Sequence, residues 1–198
     1  MNAGRPLILM YHAFGAPPRG ADPHSLFVTP ADLDAQLTAL LAKRRPLDLN
    51  DYLSGWELGG RWPARRTVVT IDDGFRSTLE VAAPILQRRG VPAVVFALPG
   101  LLDGVSSWMS DMANEPLLDA NDLRELARQG LEIGCHGWRH ELMPGRSDAE
   151  LRRDTTEARD ALADATGRVP RAFAYPDGQF DKRAMQERVE QLREASSF

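Results

Sequence analysis

The stretch Val68-Val69-Thr70-Ile71-Asp72-Asp73-Gly74-Phe75 decides the fold of this chain. Four β-branched residues in succession predict a buried strand, and the strand ends at two adjacent carboxylates and a glycine. Neighbouring side chains of an extended backbone point to opposite sides, so Asp72 and Asp73 are expected to serve different tasks. Two like charges this close together are costly without a cation. The stretch therefore predicts a strand that ends at a polar site, with a solvated Asp-Gly turn as the alternative.

The composition predicts one globular domain over residues 1–198, because 43% of the residues are hydrophobic and 26% are charged. A formal net charge of −4, with arginines interleaved among acids, gives no sign of a nucleic-acid partner. A single cysteine, Cys135, excludes an intrachain disulfide. The chain has no apolar run of membrane-spanning length and no signal peptide at its start, so we expect a cytoplasmic protein; a secreted protein whose leader had been removed would look the same.

Strand-like and helix-like segments alternate about six times along the chain, which predicts an α/β fold with a parallel sheet, either a barrel or an open doubly wound sheet. Capping residues predict helices that begin near Thr29, Ser77, Asp119, Ser147 and Asp181. Besides the central stretch, the predicted strands are Leu7–Tyr11, Ala93–Ala97, Leu131–Cys135 and Ala172–Tyr175, and a weaker candidate starts at Pro46.

Polar residues follow the carboxyl ends of these strands, which is the face where α/β proteins build their sites. They are His12, Asp72, Asp73, His136, His140 and the turn Tyr175-Pro176-Asp177-Gly178. Asp73, His136 and His140 are a ligand set suited to a divalent, zinc-like ion with a position left for water. Such an ion lowers the pKa of bound water, and Asp72 would be the base that takes its proton.

Three motifs in this order resemble those of the polysaccharide deacetylases, the NodB-homology or carbohydrate esterase family 4 proteins. They are Thr70-Ile71-Asp72-Asp73-Gly74, His136-Gly137-Trp138-Arg139-His140 and Phe173-Ala174-Tyr175-Pro176-Asp177-Gly178. The resemblance implies a deformed (β/α) barrel in which metal-bound water removes N-acetyl groups from an N-acetylglucosamine-type glycan or glycoconjugate. It also implies that Asp72 is the base and that the third motif, Tyr175 to Asp177, borders the sugar and the oxyanion.

The chain departs from the family pattern at several positions. Ala174 stands where many members have an arginine that orients the base, and Asp177 replaces an aromatic residue. No histidine follows His140 to act as the usual general acid. Either the enzyme is incomplete, or it is similar to the circularly permuted poly-N-acetylglucosamine deacetylases, whose last motif lies in the first strand. Met10-Tyr11-His12 favours the second explanation and predicts His12 as the general acid.

No predicted strand follows the last helix, which would present Met185, Val189 and Leu192. We therefore expect a C-terminally shortened family member with an uncovered apolar face that favours association or low stability.

Two other functions stay open: a catalytically weak sugar-binding or scaffold protein of the same fold, and a metal-dependent hydrolase of another small amide or ester. Trp108 and Trp138 are candidates for an aromatic wall or for packing residues. Cys135 is expected to be a small buried residue and His24 a loop residue.

Overall fold

The computed structural model describes residues 4–17, 22–109 and 114–186. The strands are β1 (Leu7–Tyr11), β2 (Ala13–Phe14), β3 (Phe27–Val28), β4 (Arg45–Pro46), β5 (Arg66–Ile71), β6 (Val94–Ala97) and β7 (Glu132–Cys135). The α-helices are α1 (Pro30–Lys43), α2 (Leu49–Glu57), α3 (Ala83–Arg89), α4 (Ala120–Arg128), α5 (Asp148–Arg152) and α6 (Ala158–Thr166).

The main sheet is parallel, with strand order β1-β5-β6-β7, and the short β4 pairs with the first residues of β5. This confirms the α/β class and the parallel sheet. Within the described residues β1 pairs only with β5, so that no closed ring of strands is formed there. A separate two-stranded sheet joins β2 to β3.

The core lies between the sheet and the helices, because β5 and β6 are apolar on both faces while the helices bury one stripe each. Leu33, Leu37 and Leu40 of α1 are buried, as the periodicity predicts. Thr29 caps α1, as predicted, and Gly90 and Gly167 end α3 and α6 in the left-handed conformation. The described helices include none that is long and apolar enough to cross a bilayer.

One prediction about local structure holds only in part and another is wrong. The predicted helix after Ser77 is present, but Ser77 does not cap it with its side chain: residues Thr78–Ala82 form a π-helical turn that leads directly into α3, and Oγ of Ser77 accepts a hydrogen bond from the Phe14 N–H. Ala172–Tyr175 is not a full strand either, since Phe173 forms a single parallel bridge with Cys135. Pro170 and Pro176 flank this segment and leave room for only a short ladder.

The last described helix begins after Asp181, whose carboxylate accepts a hydrogen bond from the Ala184 N–H at 2.9 Å. Met185 is 47% exposed, whereas Val189 and Leu192 lie outside the described residues. The predicted apolar face of this helix is thus described only at its start.

Candidate metal centre

The end of β5 sends its two carboxylates in different directions. Asp72 continues the extended backbone, and its N–H donates to the Tyr11 carbonyl at 2.9 Å. Asp73 and Gly74 then turn through left-handed conformations, with φ of 71° and 69°. A Cβ on Gly74 would lie 3.4 Å from Cα of Ala97, so that this turn also packs closely against β6. The backbone therefore separates the two carboxylates, as the sequence predicts.

Three side chains from two strand ends converge on one point. Oδ1 of Asp73 lies 3.3 Å from Nε2 of His136 and 3.2 Å from Nε2 of His140. The ligand atoms of the three residues all lie within 4.8 Å of one another, a spacing that suits one metal ion. Asp73 and His136 are buried, at 3% and 2% exposure.

The tautomer of His136 is set by the backbone of the third motif. Nδ1 of His136 lies 2.9 Å from the carbonyl oxygen of Ala174, and only a protonated Nδ1 can donate to that oxygen. In the neutral ring Nε2 then carries a lone pair, which faces the buried Oδ1 of Asp73. Two acceptors in contact need a cation or a proton between them, so these residues fit a divalent ion.

The electrostatics of the centre agree with that fit. Burial alone would raise the pKa of Asp73, but the rings of His136 and His140 outweigh burial and hold that pKa well below its usual range. Burial alone would lower the pKa of His136, yet the neighbouring carboxylates Asp73 and Asp72 raise it. The ionised carboxylate of Asp73 therefore favours a positive charge beside it, as a divalent ion would supply.

Asp72 lies beside this centre, and its pKa is shifted in the opposite direction to that of Asp73. Burial raises its pKa, while the charges of His136 and His12 partly offset that effect. Its Oδ1 is buried and makes no hydrogen bond to any described residue. A buried carboxylate with a raised pKa and an open oxygen has the properties of a general base.

An open cavity of about 840 Å³ joins these residues to the other predicted positions. Its walls include His12, Asp72, Asp73, His136, His140, Tyr175 and Asp177, all of which the sequence predicted. Pro176 is buried and is not part of the wall. It packs against Gly137: a Cβ added to Gly137 would lie 3.6 Å from Cγ of Pro176. Asp177 adopts a left-handed conformation, with φ of 52°.

The two candidate tryptophans have different surroundings. The Trp108 ring lines the cavity and stacks on His140, with ring centroids 5.0 Å apart and an interplanar angle of 17°. Trp138 instead packs behind the centre, where Cζ of Arg153 lies 5.1 Å from its ring centroid.

Sequence reasoning missed some residues of the cavity. His24 lines the cavity, although its sequence position indicated only a loop. The loop is shaped by Asp22, whose carboxylate accepts hydrogen bonds from the N–H groups of Leu26 and Phe27 at 2.8 and 2.9 Å. These contacts link residues four and five positions apart, a spacing that no local hydrogen-bonding rule picks out from sequence.

The chain matches the polysaccharide deacetylase family over residues 60–192. Solved structures with a similar fold include the deacetylase PplD of Streptococcus pyogenes in complex with acetate, at 22% identity and a TM-score of 0.78, covering 96% of this chain and 81% of that one. A de-N-acetylase from Aggregatibacter actinomycetemcomitans is similar at 18% identity and a TM-score of 0.78, covering 94% and 85%.

IcaB from Ammonifex degensii is similar at 23% identity and a TM-score of 0.77, and the match covers 93% of this chain and 79% of the IcaB chain. No curated protein matched the chain in the comparison. The family match spans well over half of the chain and the fold agrees with it, so this chain belongs to the polysaccharide deacetylase family.

Proposed function

We propose that this protein is a metal-dependent deacetylase that removes N-acetyl groups from glycans of the N-acetylglucosamine type. One observation carries the proposal: Asp73, His136 and His140 converge on a single point, and the open oxygen of Asp72 lies in the same cavity. A divalent ion held by the three residues, most simply Zn²⁺, would activate a water molecule and polarise the acetyl carbonyl.

The residues of the chain divide the remaining chemistry. Asp72 takes one proton from the attacking water as the new C–O bond forms. Backbone N–H groups near Tyr175 and Asp177 stabilise the charge that develops on the carbonyl oxygen. His12 delivers a proton to the departing nitrogen as the C–N bond breaks, because an amide anion is a very poor leaving group. The products are acetate and an amino sugar.

The cavity walls favour a neutral glycan. The described residues that line the cavity include no lysine or arginine, while Asp72, Asp73 and Asp177 contribute carboxylates. Apart from the proposed ion and the histidines, a negatively charged sugar would find no cationic side chain in the wall to pair with. Met10, Leu26 and Trp108 add apolar surface beside the centre, which suits the faces of an uncharged sugar ring.

Acetate release tests the proposal directly. The protein, stripped of metal and then supplied with Zn²⁺, Co²⁺, Ni²⁺ or Mn²⁺, is incubated with N-acetylglucosamine oligomers and, in parallel, with aryl acetates. We expect metal-dependent acetate release from the oligomers. Release from aryl acetates alone would favour a hydrolase of another small ester, and binding of oligomers without release would favour a sugar-binding protein.

A further inference from the structure

The loop that joins the two metal-ligating histidines is held at the backbone of its middle residue, Trp138. Trp138 lies two residues from His136 and two from His140. Its N–H donates to Oδ1 of Asp154 at 3.0 Å, and its carbonyl accepts from the Gly100 N–H at 2.9 Å. The two peptide units that flank the Trp138 Cα are therefore each held by a part of the chain that provides no ligand.

The backbone of this loop needs such support. Hydrogen bonding to β6 reaches as far as His136, whose N–H donates to the Ala97 carbonyl at 3.0 Å. Beyond it, Gly137 and His140 adopt left-handed conformations, with φ of 84° and 62°. For a histidine this conformation is strained and persists only when surrounding contacts impose it.

Asp154 provides one of these supporting contacts to the loop. It lies in the π-helical segment Arg153–Glu157 and is 1% exposed. Its second oxygen, Oδ2, lies 3.2 Å from Nε of Arg146, so the buried charge has a cationic neighbour. The adjacent Arg153 covers the Trp138 ring, and consecutive residues of one π turn thus hold both the peptide and the side chain of Trp138. Such turns often accompany functional sites.

We propose that Asp154 is a positioning residue of the metal centre: its carboxylate fixes the Trp138 peptide and, through it, the separation of the His136 and His140 rings. This inference rests on the proposed metal-dependent function. Asp154 does not touch the ion. It acts in the way that outer-shell partners act, by holding ligands in the geometry that the ion requires.

Cobalt binding separates positioning from a merely structural role. Co²⁺ in a site with nitrogen and oxygen ligands has visible absorption bands whose energy and intensity report coordination geometry. We expect Asp154→Ala to weaken Co²⁺ binding by about 10- to 100-fold and to alter these bands. Asp154→Asn keeps an acceptor for the Trp138 N–H, and should recover most of the affinity and the wild-type spectrum.

The matched control is Glu157→Ala, an exposed acid in the same π-helical segment, which should bind Co²⁺ like the wild type. The melting temperature of each metal-free variant is measured separately, so that a loss of stability is not mistaken for a loss of positioning. If Asp154→Ala does not fold, Asp154→Ser replaces it, because its hydroxyl is too short to reach Trp138.

The outcomes distinguish this inference from the proposed function. If Asp154→Ala, or the serine variant, binds Co²⁺ with wild-type affinity and spectrum, whatever its melting temperature, the positioning role is overturned while the metal site stands. If the wild type and His136→Ala bind Co²⁺ equally weakly, the metal site itself is refuted, and the role of Asp154 with it.

Discussion

Replacing Gly100 with alanine should disturb the metal centre from the side opposite to Asp154. Gly100 lies in the short 3₁₀ turn Pro99–Leu101 that follows β6. An ideal Cβ at this position would lie 2.3 Å from Nε1 of Trp138 and 2.7 Å from its carbonyl oxygen. Both distances are far below van der Waals contact, and one of them involves backbone. Trp138 must therefore move as a whole, and its ring and its peptide must both shift.

The size of the effect follows from this overlap. Overpacking a closely packed contact costs about 1–3 kcal/mol. For a chain of this length each kcal/mol lowers the melting temperature by about 2–4 °C, so that the expected loss is about 2–12 °C. Because Trp138 is the middle of the ligand loop, Co²⁺ affinity should fall as well.

Calorimetry of the metal-free protein and titration with Co²⁺ measure the two effects. Gly4→Ala is the matched control, because an added Cβ there would meet no atom within 4 Å, and its stability should change by less than about 0.5 kcal/mol. If Gly100→Ala melts and binds Co²⁺ like the wild type, the loop adapts freely, and the argument that it is held at Trp138 fails.

The remaining predictions concern the proposed catalytic groups. In metal-free protein the pKa of folded His136 is raised, so the stability that it contributes is complete below about pH 6.5 and is lost as the pH rises through the folded value. Melting curves of the wild type and His136→Ala in EDTA should thus converge from pH 6 to pH 9, and a constant difference would contradict this. Asp72→Asn should lower acetate release by about 10²- to 10⁴-fold with little change in Co²⁺ affinity; near-normal turnover would exclude Asp72 as the base. His12→Ala should lose activity on amides but retain it on aryl acetates, whose leaving groups need little protonation, and equal losses on both would assign His12 to structure or binding.

The positions of the site residues were predictable because parallel strands end at one edge of a sheet. The buried run before Asp72 and the run before His136 each identify a strand, and topology alone then brings their ends together. His12 was found for the same reason, since β1 pairs with β5 in register and ends beside it.

The supporting residues were not predictable from sequence alone. Asp154 lies in a polar stretch, Arg153-Asp154-Thr155-Thr156-Glu157, that reads as an exposed helix surface. A π turn changes which side chains face inward, and neither hydrophobic periodicity nor capping rules detect it. The side-chain cap predicted at Ser77 is absent for a related reason. The spacing of Ser77 to Glu80 satisfies the rule for a capping box, but the Ser77 hydroxyl instead accepts a hydrogen bond from the backbone N–H of Phe14 in β2.

The hydrogen bond between His136 and the carbonyl of Ala174 has a consequence for how the sequence of this site can vary. A main-chain oxygen is supplied by every amino acid, so the side chain at position 174 can change without altering the protonation pattern of the histidine ring. What the histidine requires at this position is a particular backbone path, which the flanking Pro170 and Pro176 restrict. A different side chain at position 174 would therefore alter the cavity wall that it shares with Asp72, while the hydrogen bond that orients His136 would stay the same.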